Sequence, residues 1–220
     1  MAKLNTINIQ ELPLYLYESK NKSQNKLIDI IDNNQITFAK GNAGSGKTFS
    51  TLAYALNKLY KREFDKLVII KPLVESEESI GYLPGSVDSK VFPYHNSTLF
   101  TLDELIGKEQ RIDRIKEGTI LIEPIALLRG VTFNNSIIII DEAQNTTVNQ
   151  VKLILTRIGK NSKMIFIGDV DQTDRKGTTS GLKDGVDRFN DMDDVGIFSF
   201  DKDDNVRNEI ISKILNRYDE

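Results

Sequence analysis

One glycine-rich stretch of the chain combines a lysine and a hydroxyl residue at a spacing suited to chemistry. Residues 41–48 read Gly-Asn-Ala-Gly-Ser-Gly-Lys-Thr, which is the pattern of a phosphate-binding loop. Glycine lets the backbone wrap around a phosphate with its N–H groups inward, and a helix that starts there adds a positive dipole end. We therefore expect Lys47 to reach the β- and γ-phosphates of a nucleotide and Thr48 to bind Mg²⁺ through its hydroxyl.

A second candidate group follows a run of four isoleucines. Residues 137–140 are predicted to form a strand buried on both faces, and Asp141 and Glu142 come directly after it. We expect Asp141 to hold Mg²⁺, largely through water, and Glu142 to polarise an attacking water as a general base. A kinase has no need of such a base, because its acceptor is not water. Glu142 therefore favours hydrolysis over phosphoryl transfer to a small molecule.

Two glutamines and three arginines are weaker candidates, and for each the alternative is an ordinary solvated side chain. Gln172 follows the next predicted strand and is a candidate reader of the γ-phosphate. The amide of Gln24 offers a donor and an acceptor that match the edge of adenine. Arg207 is a candidate for neutralising charge on the γ-phosphate, with Arg157 and Arg129 as rivals.

Composition limits the class of protein. The chain has 220 residues, a net charge of −3 and no cysteine, which excludes disulfides, thiol catalysis and cysteine–zinc sites. No apolar run approaches the roughly 20 residues needed to cross a bilayer, and the first residues lack the apolar core of a signal peptide. We expect a cytoplasmic protein without a membrane partner. The acidic balance counts against tight binding of nucleic acid through a broad basic face.

Apolar strands alternate with helices along most of the chain. This order predicts an α/β fold with a mainly parallel central sheet covered by helices on both faces. We expect residues 1–34 to form an N-terminal segment, with a helix capped by Ser23, and residues 35–220 to form the main domain. The predicted strands cover residues 35–40, 67–70, 119–123, 137–141, 163–168 and 195–200; the other predicted helices cover residues 48–60, 99–106, 112–117, 148–158, 181–189 and 205–218.

A long segment rich in proline and glycine interrupts this alternation. Residues 71–94 contain three prolines and two glycines, and a loop of this length in a compact domain is usually functional or disordered. In the parallel sheet predicted here, ligands are expected beyond the carboxyl ends of the strands. The phosphate-binding loop and Asp141 both follow predicted strands, so we expect them to meet at that edge.

With these motifs the chain resembles the PhoH-like proteins, which are P-loop ATPases related to the core of superfamily 1 helicases. The resemblance runs from about residue 24 to residue 218 and rests on several blocks together. These are Lys71–Val74, Gly81–Gly85 and Pro93–Tyr94; Glu123–Gly130; Asp141–Thr147 with Gln150 and Leu155–Arg157; Gly168–Asp169 with Gln172, Asp174 and Ser180–Leu182; and Val206–Arg207 with Ile214–Tyr218.

The resemblance implies a RecA-like P-loop NTPase fold, ATP and Mg²⁺ as cofactors, and ATPase activity. It implies that Gln24 reads adenine, that Gln172 senses the γ-phosphate and that Arg207 acts as a trigger. The nucleotide-binding residues implied by it are Gln24, Gly41, Asn42, Ala43, Gly44, Ser45, Gly46, Lys47, Thr48 and Phe49; the metal-binding residues are Thr48 and Asp141; the catalytic residues are Lys47, Glu142, Gln172 and Arg207.

One departure from the family pattern concerns the sensor loop. The chain has Arg175 and Lys176 where the family usually has Leu-Pro, which adds positive charge there. Superfamily 1 helicases close a cleft between two RecA-like domains, and 220 residues provide for one. We therefore expect a homo-oligomer, such as a ring, in which Arg207 or Arg157 acts across the interface.

Three functional hypotheses remain open from the sequence. The first is an ATPase coupled to RNA or single-stranded DNA, with residues 71–94 and Arg129 as candidate contacts. The second is a non-motor switch that changes binding partners with its ATP state, which suits the acidic charge and the single motor domain. The third is a small-molecule kinase, which Glu142 disfavours.

Overall fold

Six parallel strands form the centre of the molecule in the computed structural model, which describes residues 22–72, 96–172, 179–201 and 204. The strands are β1 (Ile36–Lys40), β2 (Lys66–Ile70), β3 (Ile120–Glu123), β4 (Ser136–Ile140), β5 (Lys163–Gly168) and β6 (Val195–Ser199). They follow one another across the sheet in the order β3-β2-β4-β5-β1-β6. The mainly parallel α/β sheet predicted from the sequence is confirmed.

Helices cover both faces of this sheet. They are α1 (Lys22–Asn33), α2 (Lys47–Tyr60), α3 (Asn96–Ile106), α4 (Lys108–Lys116), α5 (Val148–Leu155) and α6 (Gly181–Arg188), with 3₁₀ turns at Ile125–Leu127 and Ala143–Asn145. One apolar core lies beneath the first three helices, and a second lies beneath α5 and α6. None of the described helices is long and apolar enough to cross a membrane.

The predicted elements differ from the observed ones mainly at their ends. Helix α4 begins at Lys108, directly after Gly107 in the left-handed region (φ 78°), whereas the apolar pattern places its start at Ile112. The pattern misses this turn because Arg111 is buried by pairing with Asp103, with 2.6 Å between Nε and Oδ1. Because arginine is a polar residue type, an apolar pattern does not count a buried arginine as part of the buried face of a helix.

Two other predictions at helix ends are wrong for identifiable reasons. Helix α5 ends at Leu155 instead of residue 158, because Arg157 N and Ile158 N donate to carbonyls three residues back, those of Ile154 and Leu155, instead of four. The chain then pairs with Phe133, whose N–H donates to Arg157 O at 2.9 Å. Ser23 lies in the first turn of α1 rather than at its cap, and its hydroxyl donates to Asp204 Oδ1 at 2.7 Å. In both cases contacts with distant residues take the place of the expected contacts within the helix.

Several sequence-based predictions fall outside the described residues. These concern most of the loop 71–94, the last predicted helix with Arg207, and the difference from the family pattern at Arg175 and Lys176. The division into residues 1–34 and 35–220 stays a prediction. Of the first segment, the structure describes α1 onwards, and Leu27 and Ile31 of that helix belong to the core beneath α2.

The ring of Phe38 is at the centre of the core beneath α5 and α6. Phe38 is fully buried and stacks on Phe166 of β5 with 4.6 Å between the ring centroids. Phe189 stacks on the same ring at 5.7 Å. A Cβ atom at Gly185 of α6 would collide with the Phe38 ring, so only glycine lets the helix approach this closely. Phe38 thereby fixes β1, which leads directly into the phosphate-binding loop.

We expect Phe38→Ala to lower the free energy of unfolding by about 3–5 kcal/mol, because it opens a cavity at a fully packed site. The measurement is urea unfolding followed by circular dichroism. The matched control is Phe100→Ala on α3, where the side chain is 71% exposed and the change should stay within about 0.5 kcal/mol. Equal effects of the two substitutions would contradict this account of the core.

Candidate functional site

The candidate site lies at the carboxyl edge of the sheet, where three neighbouring strands end. Strand β5 lies between β1 and β4, so the loops that follow these three strands start side by side. Gly41 N donates to Gly168 O at 3.2 Å, and this bond continues the pairing of β1 and β5 into the phosphate-binding loop. The register of the sheet therefore fixes the starting point of each functional loop.

The loop between β1 and α2 has the backbone that close wrapping requires. Gly44 and Gly46 have φ values of 89° and 80°, which side chains rarely allow. A Cβ atom at Gly41 would lie 2.6 Å from Cβ of Phe200, so glycine is needed there for contact with the chain after β6. Helix α2 starts at Lys47 immediately after this loop, and its N-terminal N–H groups favour an anion.

The ammonium group of Lys47 lies inside the curve of this loop. Its Nζ donates to the carbonyl oxygens of Gly41 (2.6 Å) and Asn42 (2.8 Å), and it lies 3.3 Å from the hydroxyl of Ser45. Lys47 is buried even though it is charged. The loop thus holds a positive charge at its centre, where an oxyanion would be bound.

The Asp141 carboxylate, which follows β4, is buried and receives hydrogen bonds on both oxygens. The hydroxyl of Thr48 donates to Oδ1 and that of Thr98 donates to Oδ2, both at 3.0 Å. The N–H of Glu142 also donates to Oδ1, at 3.1 Å. The structure therefore brings together Thr48 and Asp141, the two residues predicted to bind the metal, which lie 93 positions apart in the chain.

The oxygens of Thr48 and Asp141 suit Mg²⁺, which takes oxygen ligands and keeps several water molecules. The described part of the chain holds no group of three or more His, Cys, Asp or Glu side chains that could hold a metal ion. A P-loop site does not require one, because nucleotide phosphates and water complete the coordination. The residues present therefore fit a metal that is bound together with a nucleotide.

Glu142 has an unusual backbone conformation. Its φ of 55° and ψ of 40° lie in the left-handed region, which costs a residue other than glycine about 1–2 kcal/mol. Along β4 successive side chains point to opposite faces of the sheet, and this turn ends that alternation. It redirects the Glu142 carboxylate, which accepts a hydrogen bond from Gln144 Nε2 at 2.7 Å. Strain of this kind concentrates at functional sites, where surrounding contacts hold it in place.

Gln144 connects Glu142 to the phosphate-binding loop through buried groups. Its Oε1 accepts from Asp169 N at 3.1 Å, and Oδ2 of Asp169 accepts from Ala43 N of the loop at 3.0 Å. A Cβ atom at Gly168 would collide with Gln144, so the strand end must be glycine for this contact. The loops after β1, β4 and β5 are therefore joined by one chain of hydrogen bonds.

Two glutamines that the sequence singles out lie at the margins of this site. Gln24 of α1 donates from Nε2 to the carbonyl of Ser45 at 3.2 Å, so it contacts the phosphate-binding loop. Gln172 is exposed after β5, and its N–H donates to Asp169 O at 3.2 Å. Their roles toward adenine and the γ-phosphate stay predictions.

The candidate arginines differ in their surroundings. Arg207 lies outside the described residues, and Arg129 is exposed in the turn after the 3₁₀ helix Ile125–Leu127. The Arg157 guanidinium donates to Val131 O and to Thr156 Oγ1, at 3.2 and 2.9 Å, and so stabilises the end of α5. Phe49 is partly buried and packs against the core beneath α2, so its predicted contact with the nucleotide stays a prediction.

Sequence reasoning missed Thr98, the position of Lys71 beside Asp141 (4.0 Å from Nζ to Oδ2), and the connecting roles of Gln144 and Asp169. Lys71 carried a usable signal, because it directly follows β2 and so lies at the carboxyl edge of the sheet. Thr98 carried none, since its position depends on how α3 packs beside Asp141. The connection through Gln144 depends on side-chain direction in a 3₁₀ turn that periodicity does not reveal.

We expect Thr98→Val to lower the free energy of unfolding by about 1.5–3 kcal/mol, because it removes a hydrogen bond to a buried carboxylate. Valine keeps the branched shape, so packing changes little. Thr101→Val on the same helix is the matched control, since Thr101 donates to the carbonyl of Ser97 near the surface. Thermal unfolding without nucleotide or metal gives the comparison, and equal midpoints for the two variants would contradict the assignment of Thr98.

Solved structures of low sequence identity share the fold. The Hef helicase domain of Pyrococcus furiosus aligns with a TM-score of 0.51 and 14% identity, covering 88% of this chain and 40% of that one. The large terminase of a thermophilic bacteriophage aligns with a TM-score of 0.53 and 12% identity, covering 90% of this chain and 50% of that one. These similarities show a RecA-like P-loop fold, as expected.

Relatives of higher identity cover most of the chain. A PhoH-like protein of Mycobacterium tuberculosis is 38% identical over 200 residues, which are 90% of this chain and 57% of the relative. Protein PhoH of Escherichia coli is 36% identical over 203 residues, with 91% and 57% covered, and a PhoH-like protein of Bacillus subtilis is 36% identical over 201 residues, with 91% and 63% covered.

The chain therefore spans less than two thirds of the length of each of these relatives. The family model described as "PhoH-like protein" matches residues 17–219, which is nearly the whole chain. The match includes the phosphate-binding loop, Asp141 and Glu142, and the residues that connect them. This chain belongs to the PhoH-like protein family.

Proposed function

We propose that this protein binds ATP with Mg²⁺ and hydrolyses it to ADP and phosphate. The observation that carries the proposal is the contact of Thr48 with Asp141, beside a loop that encloses the ammonium of Lys47. A hydroxyl, a buried carboxylate and a lysine in this arrangement form the part of a P-loop site that holds the metal and the terminal phosphates. Membership of the PhoH-like family supports the same conclusion.

The triphosphate would be bound by the N–H groups of the phosphate-binding loop and by Lys47. Thr48 and Asp141 would hold Mg²⁺, which when bound neutralises charge on the phosphate oxygens. Lys47 would give up its bonds to the carbonyls of Gly41 and Asn42 in exchange for phosphate oxygens. A preformed positive site of this kind lowers the reorganisation needed to bind an anion.

Glu142 would orient the attacking water and accept its proton. The water oxygen forms a bond to the γ-phosphorus, the bond from that phosphorus to the bridging oxygen breaks, and ADP leaves with the electron pair. Gln144 would hold the Glu142 carboxylate in place through the 2.7 Å hydrogen bond, which makes Gln144 a positioning residue. Because Gln144 also contacts Asp169, the position of the base would depend on the phosphate-binding loop.

We expect Glu142→Gln to release phosphate about 10²- to 10⁴-fold more slowly than the unchanged protein, because an amide cannot accept the proton. ATP binding should persist, since glutamine keeps the size and the hydrogen bond. Phosphate release and equilibrium binding of a fluorescent ATP analogue measure the two effects. Glu109→Gln, on the exposed first turn of α4, is the control. The proposal is wrong if the unchanged protein releases no phosphate.

We further propose that turnover is completed by a neighbouring subunit in a homo-oligomer, such as a ring. The sheet described here provides one RecA-like unit, and helicase-type motors use two surfaces that close on ATP. Arg207 is the proposed trigger, with Arg157 and Arg129 as alternatives, and Gln172 is the proposed γ-phosphate sensor. The mass of the assembly in solution, with and without an ATP analogue, tests the oligomer.

We propose RNA or single-stranded DNA as the partner that stimulates hydrolysis. Residues 71–94 and Arg129 are the proposed contacts, and binding through a phosphate backbone depends on salt. We expect added RNA or single-stranded DNA to raise the rate of phosphate release at low salt, and the gain to shrink as salt rises. Phosphate release measured against each polymer at several salt concentrations gives the answer. Identical rates with and without polymer at low salt would contradict coupling.

A non-motor switch is the second candidate function. The net charge of −3 favours it, because a protein that tracks nucleic acid usually carries more basic residues. In this case ATP binding would change the protein's partners, and turnover would not respond to RNA or single-stranded DNA. The salt series described above separates the two functions.

A further inference from the structure

A second lysine lies beside the Asp141 carboxylate. The Nζ of Lys71 is 4.0 Å from Oδ2 of Asp141 and donates to the hydroxyl of Ser97 at 2.8 Å. This placement follows from the sheet, because Ile70 pairs with Ile140 and Asp141 N donates to Ile70 O at 2.9 Å. The residues that follow the two strands are therefore neighbours.

Burial makes this pair electrostatically significant. The side chains of Lys71 and Asp141 are 13% and 6% exposed, so water screens them less than it screens a surface pair. A buried carboxylate requires hydrogen bonds and a nearby cation. The donors are Thr48, Thr98 and the N–H of Glu142, and Lys71 supplies positive charge from the side of Oδ2.

The two carboxylate oxygens face different neighbours. Oδ1 accepts from Thr48, the residue proposed to bind Mg²⁺, whereas Oδ2 faces Lys71 and Thr98. A metal ion at Thr48 and Asp141 would therefore share its carboxylate with an ammonium group. The two cations repel each other, and the repulsion weakens binding of a metal ion that arrives alone. A metal ion that arrives on a triphosphate brings negative charge that offsets this repulsion.

We propose that Lys71 is the counter-ion of Asp141 in the metal-free protein and makes the site selective for a metal that is bound to a nucleotide. Removing the positive charge of Lys71 makes the electrostatic potential at the Asp141 carboxylate more negative, so free divalent cations bind there more tightly. Lys71 is thus a residue that sets specificity through Asp141. The inference rests on the proposed function only in that Thr48 and Asp141 hold the metal.

The test uses the full chain without nucleotide and Mn²⁺ as the probe, measured by electron paramagnetic resonance. We expect Lys71→Met and Lys71→Gln to bind Mn²⁺ about tenfold more tightly than the unchanged protein, because each removes a positive charge that lies beside Asp141 and repels the metal ion. Lys71→Arg should behave like the unchanged protein. Lys66→Met, an exposed position at the opposite end of β2, is the matched control.

Thermal unfolding supplies a readout that does not depend on metal. The metal-free Lys71→Gln protein should unfold at a lower temperature than Lys66→Met, and Mn²⁺ should raise its midpoint by more. Adding Asp141→Asn to Lys71→Gln should abolish the gain in Mn²⁺ affinity. Lys71→Gln is included because it retains a group able to donate to Ser97, so it should fold where Lys71→Met does not.

Equal Mn²⁺ affinity and equal metal-free midpoints for Lys71→Gln and Lys66→Met would overturn the inference. A gain that survives Asp141→Asn would overturn it as well. Because neither readout requires hydrolysis, an unchanged protein that releases no phosphate would contradict the proposed function while the Mn²⁺ result still decides the role of Lys71. Normal phosphate release together with unchanged Mn²⁺ affinity and unchanged metal-free midpoints in the Lys71 variants would support the proposed function and overturn the inference about Lys71.

Discussion

The site depends on the pairing of β5 with β1 on one side and with β4 on the other. Parallel pairing aligns the carboxyl ends of these strands, and the hydrogen bond from Gly41 N to Gly168 O carries the alignment past the end of β1. Thr48 and Asp141 meet only because of this alignment, since 93 residues separate them in the chain. Changes in the core that tilt β1 relative to β5 would therefore reach the site without touching any of its residues.

Buried polar groups give the site its rigidity. Asp141, Gln144 and Asp169 are each almost fully enclosed, and each has hydrogen-bond partners on neighbouring loops. A buried polar network that is satisfied has a single low-energy arrangement, whereas a network that lacks partners carries a large desolvation cost. The left-handed backbone at Glu142 persists for the same reason, because Gln144 holds its carboxylate and Asp141 holds its N–H.

Much of the fold and the centre of the site could be predicted from the sequence. The isoleucine run of β4, the spacing of the phosphate-binding loop and the rule that ligands gather at the carboxyl edge together predict that Lys47, Thr48 and Asp141 lie at one edge of the sheet, where the structure has them. These features are either local in the sequence or follow from the parallel arrangement of buried strands. The roles of the three residues toward nucleotide and metal stay predictions. Thr98 and the connection through Gln144 could not be predicted, because they depend on how helices pack and where side chains point. The start of α4 escaped for a related reason, since its buried Arg111 looks polar in the sequence.

The chain that leaves β6 runs beside the phosphate-binding loop. Phe200 N donates to Lys40 O at 2.9 Å, and the Phe200 side chain packs where Gly41 has no Cβ. A few residues further on, Asp204 accepts from Ser23 of α1, next to Gln24, whose amide contacts Ser45. The start of the loop at Gly41 and its later part at Ser45 are therefore both tied, directly or through α1, to the short stretch of chain that follows β6. A displacement of that stretch would move both parts of the loop together.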